Sequence, residues 1–143
     1  MRLLGLDVGT KTIGVAISDP LGWIAQGLDT VRRKNMALDL EFLMKIIQEK
    51  AVDAIVVGLP LHMDGNEGES SLRARELAEA LAEKSGKKII YRDERLSTVA
   101  AEKILLQGDV SRQKRKKVID KMAAVYILQG YLDYLANHPE IEV

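Results

Sequence analysis

Cysteine is absent from this 143-residue chain, and histidine occurs only twice. Without thiols the chain cannot form disulfides, thiolate zinc sites or iron–sulfur clusters, and it has no cysteine nucleophile. Two histidines are too few for a three-histidine zinc site. A metal centre in this protein would therefore have to rely on oxygen ligands.

Aromatic residues, net charge and long apolar runs are also scarce. Aromatic residues make up 4% of the chain, which argues against a broad base-stacking sheet. The 21 basic residues balance the 21 acidic ones, so affinity for nucleic acid would need a local concentration of charge. No apolar run approaches the roughly 18 residues of a membrane span, and the first run stops at Asp7, too early for a signal peptide. We therefore expect a cytoplasmic protein with no membrane partner.

The composition, with 47% hydrophobic and 29% charged residues, is that of a globular protein, and the length suits one domain over residues 1–143. Three closely spaced strands must form an antiparallel meander, and alternating helices and strands follow them. The predicted α/β fold is a mixed five-stranded sheet flanked by helices, which makes it a ribonuclease H-like candidate. The expected strands are 2–7, 12–18, 23–31, 53–58 and 88–92, and the expected helices lie near 36–47, 71–84, 98–107 and 115–135.

Acidic residues follow two of the predicted strands. Asp7 ends the first strand and precedes Gly9, and Asp93 and Glu94 end the last strand. Ligands of open α/β sheets bind at the carboxyl ends of the strands. Each acid also has a simpler interpretation: an Asp-Gly turn that closes a hairpin, and acids at a helix N-terminus.

Asp120 is the third acidic candidate. It stands at the head of an apolar helix face that includes Ala123 and Ala124. A carboxylate in that position needs a partner, which could be Lys116 or Lys117 one turn away or a bound cation.

Taken together, carboxylates on three elements at one end of a sheet predict a site for Mg²⁺ or Mn²⁺. Two such ions about 3.5–4 Å apart can stabilise the attacking and leaving oxygens of a phosphoryl displacement. This is the chemistry of a nuclease that needs no covalent nucleophile.

A basic segment directly precedes Asp120. It carries five positive charges in residues 111–117 and no acid, which is typical either of a solvated face or of a surface that binds phosphates. The smaller cluster Arg32–Lys34 is interpreted as a solvated turn. We expect phosphate contacts from the segment and from basic residues beside the acids, namely Lys11, Arg95, Arg112, Lys114, Arg115, Lys116 and Lys117.

Four ordered motifs resemble the YqgF/RuvX family over nearly the whole chain. The resemblance rests on residues 5–11 with Gly14-Val15-Ala16 and Ser18-Asp19, on 57–61 with 63–65, on 93–98, and on 115–124. His62 departs from the pattern, because the family leads us to expect asparagine there.

The resemblance implies a ribonuclease H-like fold like that of RuvC-type resolvases, with Asp7, Glu94 and Asp120 as catalytic metal ligands. Asp93 and Glu94 point to opposite faces of a strand, so one of them should face the site. The implied activity is Mg²⁺-dependent hydrolysis of precursor 16S ribosomal RNA on its 5′ side, with ribosomal particles as partners.

Three other functions remain open at this point. A Holliday junction resolvase would use the same carboxylates on DNA, but resolvases usually act as symmetric dimers and the sequence favours a monomer. An actin-like, sugar-kinase-type ATPase shares an Asp-x-Gly-Thr loop, but it needs two such domains, and no second copy of the motif follows. A non-catalytic module that binds RNA or ribosomes would not need the three acids.

Overall fold

The computed structural model describes residues 1–60, 68–93 and 112–141, and for residues 112–120 it describes the helical backbone. These residues form five strands and three helices. The strands are β1 (Leu3–Val8), β2 (Thr12–Ser18), β3 (Ala25–Arg32), β4 (Ala54–Leu59) and β5 (Lys88–Asp93). The helices are α1 (Met36–Glu49), α2 (Glu69–Ser85) and α3 (Arg112–Asn137).

The strands form one mixed sheet in the order β3-β2-β1-β4-β5. β1 pairs antiparallel with β2 and parallel with β4, and β5 pairs parallel with β4. The antiparallel meander and the parallel strands that follow it confirm the predicted topology. β1 is the central strand, so its last residues lie in the middle of the sheet edge.

Side-chain alternation along β1 divides the core into two layers. Leu4, Leu6 and Val8 pack in one cluster with α1 and α2, whereas Leu3 belongs to a second cluster with α3. Asp7, two residues beyond Gly5, lies on the α3 side of the sheet. The face of the sheet that carries Asp7 is therefore the one that α3 covers.

The helix ends follow local signals in the sequence. Asn35 caps α1 by accepting a hydrogen bond from the Leu38 N–H at 2.9 Å. Gly86 ends α2 in the left-handed conformation with φ 71°, as expected for a C-terminal glycine. No helix in the described ranges is long and apolar enough to cross a membrane.

Two of the expected boundaries need correction, and one expected helix is not described. α3 begins at Arg112, so the residues at 112 and 113, predicted as loop, are helical. β3 begins at Ala25 and not at Trp23, because the N–H groups of Trp23 and Ile24 donate to the carboxylate of Asp19 in a turn. The helix predicted for 98–107 lies outside the described residues.

Candidate active site

Asp7 lies at the carboxyl end of the central strand and is half-buried. In the ladder between β1 and β2 it is directly opposite Gly14, and Gly14 is opposite Thr30 on β3. The small residue beside Asp7 limits crowding of its carboxylate from the neighbouring strand. The predicted position at the rim of the sheet is therefore the observed one.

The loop after Asp7 is held in a tight turn. The N–H of Gly9 donates to the carbonyl of Thr12 at 2.8 Å, and a Cβ atom at position 9 would lie 3.0 Å from that carbonyl oxygen. Glycine fits this contact because any side chain would press on backbone. The loop geometry beside Asp7 thus depends on the missing side chain at position 9.

Arg33 anchors the same loop from the end of β3. Its Nη1 donates to the carbonyl of Gly9 at 3.1 Å, and its backbone N–H donates to the carbonyl of Lys11 at 2.8 Å. The guanidinium also forms an ion pair with Asp39 of α1, with Nε 3.1 Å from Oδ2. The interpretation of Arg32–Lys34 as a solvated turn is therefore wrong for Arg33, whose side chain is only 14% exposed.

Asp39 was not singled out from the sequence, although it is the buried partner in this arrangement. It is 3% exposed, and its second oxygen accepts a hydrogen bond from the Lys34 N–H at 3.1 Å. An acid in the first turn of a helix normally indicates a favourable interaction with the helix dipole. The sequence carried no signal that Asp39 also reaches the anchor of the Asp7 loop.

A row of small residues brings α3 close to the sheet. Gly5, Ala16 and Gly27 are consecutive partners across β1, β2 and β3. A Cβ atom on Gly5 would lie 2.8 Å from Leu128 Cβ and 3.1 Å from the carbonyl oxygen of Ala124. The helix can lie this near only because the residue at position 5 has no side chain.

The contacts also define the direction of α3. Gly27 lies against Lys121, whereas Ala25, two residues earlier on β3, donates its N–H to Gln129 Oε1 at 2.8 Å. α3 is therefore antiparallel to β3. Because β1 is parallel to β3, α3 is antiparallel to β1 as well. The turn that carries Asp120, one turn before Ala124, extends past Gly5 in the direction of Asp7.

Asp93, the last residue of β5, can be assigned to one face of the sheet. Asp93 pairs with Leu59 and follows Tyr91 by two residues, and both of these belong to the core on the α1 and α2 side. Asp93 therefore lies on the face opposite Asp7. Arg92, one residue earlier, lies on the α3 side.

The structure describes some of the remaining predicted site residues and not others. Lys11 is exposed in the loop after Asp7. The backbone of the basic segment from Arg112 to Lys117 forms the first turns of α3. Glu94, Arg95 and His62 lie outside the described residues. Within the described ranges, no group of three histidine, aspartate or glutamate side chains could hold a metal ion.

Comparison with solved structures identifies the fold. The chain matches Thermus thermophilus RuvC in complex with a Holliday junction substrate with a TM-score of 0.62 over 96% of both chains, at 14% identity. It matches the Fowlpox virus resolvase in its Holliday junction DNA complex with a TM-score of 0.59 over 94% of this chain and 99% of that one, also at 14% identity. The fold is the ribonuclease H-like fold of the resolvases, as the sequence predicted.

The chain belongs to the RuvX family, described as Holliday junction resolvase, whose family model matches residues 1–134. Relatives named "Putative pre-16S rRNA nuclease" include proteins from Desulforamulus reducens and Clostridium tetani. The first is 58% identical over 93% of this chain and 97% of its own length, and the second is 55% identical over 96% and 99%. The resemblance drawn from the four motifs is confirmed.

Proposed function

We propose that this protein is a divalent-metal-dependent nuclease that hydrolyses RNA phosphodiesters in 5′-end maturation of precursor 16S ribosomal RNA. The observation that carries the proposal is Asp7, a half-buried carboxylate at the carboxyl end of the central strand in a resolvase-like fold. The names of relatives more than half identical in sequence support RNA as the substrate. A ribosomal precursor implies the bacterial cytoplasm as compartment and ribosomal particles as partners.

The donor set suits a hard divalent cation. Asp7, Glu94 and Asp120 would hold Mg²⁺ or Mn²⁺ through carboxylate oxygens, which these ions prefer. The direction of α3 supports the pairing of Asp7 with Asp120, because the Asp120 turn extends toward the end of β1. Alternation along β5 supports Glu94 over Asp93, because Asp93 lies on the opposite face.

The protein's own groups have distinct tasks in the proposed reaction. When bound, the metal would offset charge that develops on the phosphate and lower the pKa of a water molecule. Asp7 belongs to the central strand, and the loop that follows it is anchored by Arg33. A rigid carboxylate needs little rearrangement during the reaction, which favours catalysis by electrostatic stabilisation.

The basic residues would position the RNA without reading its sequence. Lys11 is exposed in the loop after Asp7, and Arg95 follows Glu94 in the chain. The backbone of the basic segment forms the end of α3 that precedes Asp120, and we propose that the segment flanks the approach to the metal site. We propose phosphate contacts for Arg112, Lys114, Arg115, Lys116 and Lys117.

A cleavage assay with three substrates tests the proposed function. Purified protein would be incubated with precursor 16S RNA, an unrelated single-stranded RNA and a four-way DNA junction, each with Mg²⁺, with Mn²⁺ or with a chelator. We expect metal-dependent cutting of the precursor near its 5′ side. Cutting of the junction with no cutting of either RNA would overturn the proposal in favour of a DNA resolvase.

A further inference from the structure

Arg92 lies against a row of aromatic rings along α3, which we call the ring ladder. Its members are Tyr131, Tyr134 and His138. The guanidinium carbon of Arg92 is 5.8 Å from the centroid of the Tyr131 ring and 5.4 Å from that of Tyr134. The Tyr131 and Tyr134 rings stack with centroids 6.2 Å apart, and the ring of His138 lies 4.3 Å from that of Tyr134. These spacings are typical of cation–π and aromatic stacking contacts.

The guanidinium has no polar partner among the residues that the structure describes, since its contacts there are with ring faces. A half-buried guanidinium has five N–H donors in a planar fork that matches phosphate oxygens. Burial raises the pKa of Tyr131 above its ordinary value, against the opposing effect of Arg92, so this ring stays a neutral support. Within the described part of the chain, the rings therefore orient the guanidinium and leave its N–H groups without a polar acceptor.

The ladder lies on the same face of the sheet as the proposed metal site. Leu6 pairs with Val57, and Val57 pairs with Tyr91, so the next row of the parallel register aligns Asp7, Gly58 and Arg92. With strands about 4.8 Å apart, the backbones at positions 7 and 92 are about 10 Å apart. The Arg92 guanidinium itself lies at the level of Gly130, Tyr131 and Tyr134 on α3, beyond Leu128. A nucleic acid strand bound at Asp7 could therefore reach it by crossing β4 and following α3 away from the Asp120 turn.

The far end of the ladder is open to solvent. Tyr134 is 39% exposed and the His138 side chain is 43% exposed. Glu140 Oε1 lies 3.3 Å from His138 Nδ1, so this end carries an acid and is unfavourable for a phosphate. One end of the ring ladder therefore carries the positively charged guanidinium of Arg92. The other end presents the exposed rings of Tyr134 and His138.

We propose that Arg92, Tyr134 and His138 form a nucleotide-binding site for a single-stranded part of the substrate, on the same face of the sheet as the proposed metal site and farther along α3. Arg92 binds a backbone phosphate, and the exposed rings stack on an unpaired base. An unpaired base is required because stacking on side chains needs a splayed-out ring. The inference rests on the proposed function, and it names a part of the substrate-binding surface that the sequence motifs did not indicate.

Binding measured without cleavage tests this site. Fluorescence anisotropy would follow the full chain with labelled single-stranded and double-stranded RNA in chelator, over a range of salt concentrations. The variants are Arg92→Gln, Arg92→Lys and Tyr134→Ala. Arg75→Gln is the matched control, because Arg75 stacks on Tyr91 at 4.5 Å on the other face of the sheet and the substitution removes the same charge.

We expect Arg92→Gln to lower the log–log salt dependence of single-strand binding by about 0.7, the effect of binding one phosphate fewer. Tyr134→Ala should weaken single-strand binding about fivefold or more, with a smaller effect on the duplex. Arg92→Lys keeps the charge but not the fork, so its affinity should fall between wild type and Arg92→Gln.

The inference is overturned if Arg92→Gln binds single strands like Arg75→Gln, or if Tyr134→Ala weakens duplex and single-strand binding equally. If Arg92→Gln fails to fold, as judged by circular dichroism, Arg92→Lys and Tyr134→Ala decide the outcome. The proposed function fails separately, if wild-type protein neither binds nor cuts RNA. Wild-type cutting with unaffected binding in the ladder variants would overturn the nucleotide site alone.

Discussion

Gly5 of the central strand lies directly beneath Leu128 of α3, so close that a Cβ atom on Gly5 would be 2.8 Å from Leu128 Cβ. The backbone oxygen of Ala124 would be 3.1 Å away, and backbone cannot rotate aside as a side-chain end can. The approach of α3 to the sheet is set at this contact. The same approach directs the Asp120 turn toward Asp7.

Gly5→Ala should therefore force α3 away from the sheet. We expect the free energy of unfolding to fall by about 1–3 kcal/mol, the usual effect of an overpacked core, and cleavage to fall with it. Gly27→Ala is the matched control, because its Cβ would meet the flexible side chain of Lys121 on an exposed strand. Urea unfolding should show the control within about 0.5 kcal/mol of wild type. Equal losses in the two variants would contradict this role of Gly5.

Asp39→Ala should destabilise the fold through Arg33. The change leaves a largely buried guanidinium without its ion pair, and we expect the free energy of unfolding to fall by about 3 kcal/mol. Urea unfolding of Asp39→Ala, Arg33→Ala and the double variant forms a complete cycle. The double variant should be destabilised by less than the sum of the single variants, because the two residues share one interaction. Strict additivity would show that the pair is not coupled.

The turn between β2 and β3 should be sensitive to acid through Asp19. Hydrogen bonds from the backbone N–H groups of Ile24 and Trp23 lower the pKa of Asp19, the bond from Ile24 having the larger effect. A lowered pKa in the folded state stabilises the turn above the unfolded pKa, about 3.9, and this contribution is lost as the pH falls through the folded value. Trp23, the only tryptophan, lies in this turn and reports on it.

We expect the fluorescence of Trp23 to change as the pH falls below about 4 in the wild-type protein. In Asp19→Asn the amide oxygen can still accept the hydrogen bonds but does not titrate, so the change should be missing. The comparison is made before global unfolding, which far-ultraviolet circular dichroism monitors. An identical acid transition in both proteins would exclude Asp19 as its origin.

Neutralising the basic segment should weaken RNA binding and flatten its salt dependence. Replacing Lys114, Arg115, Lys116 and Lys117 with glutamine should lower the log–log slope by about 0.7 for each phosphate of single-stranded RNA that the variant no longer binds. The control replaces four lysines near the other end of the sheet, Lys50, Lys84, Lys87 and Lys88, and changes the net charge equally. Equal slopes for the two variants would show that the RNA follows another path.

The sheet and the three helices that the structure describes were predictable from the sequence because their signals are local. Alternation in residues 12–18 and the apolar run after Asp53 define strands, and the glycine at position 86 ends a helix. The strand-end position of Asp7 follows from the same reasoning. The sequence also predicts that Asp93 and Glu94 point to opposite faces, and the structure places Asp93 on the face opposite Asp7.

The interactions missed from the sequence join residues that no local pattern connects. Arg33 stands in a run of three basic residues typical of a solvated turn, and only packing brings it to Gly9 and to buried Asp39. The ring ladder was missed for a related reason. The low aromatic content argued against base stacking, whereas the helical spacing of Tyr131, Tyr134 and His138 places their rings side by side.

The most direct test of the metal site compares Asp7→Asn with Asp93→Asn in metal-dependent cleavage of precursor 16S RNA. Both variants remove one carboxylate charge at the same end of the sheet, but on opposite faces. We expect Asp7→Asn to abolish cleavage while its circular dichroism spectrum and unfolding midpoint stay close to wild type, and we expect Asp93→Asn to retain it. Wild-type cleavage by a folded Asp7→Asn protein would contradict the assignment of Asp7 as a metal ligand.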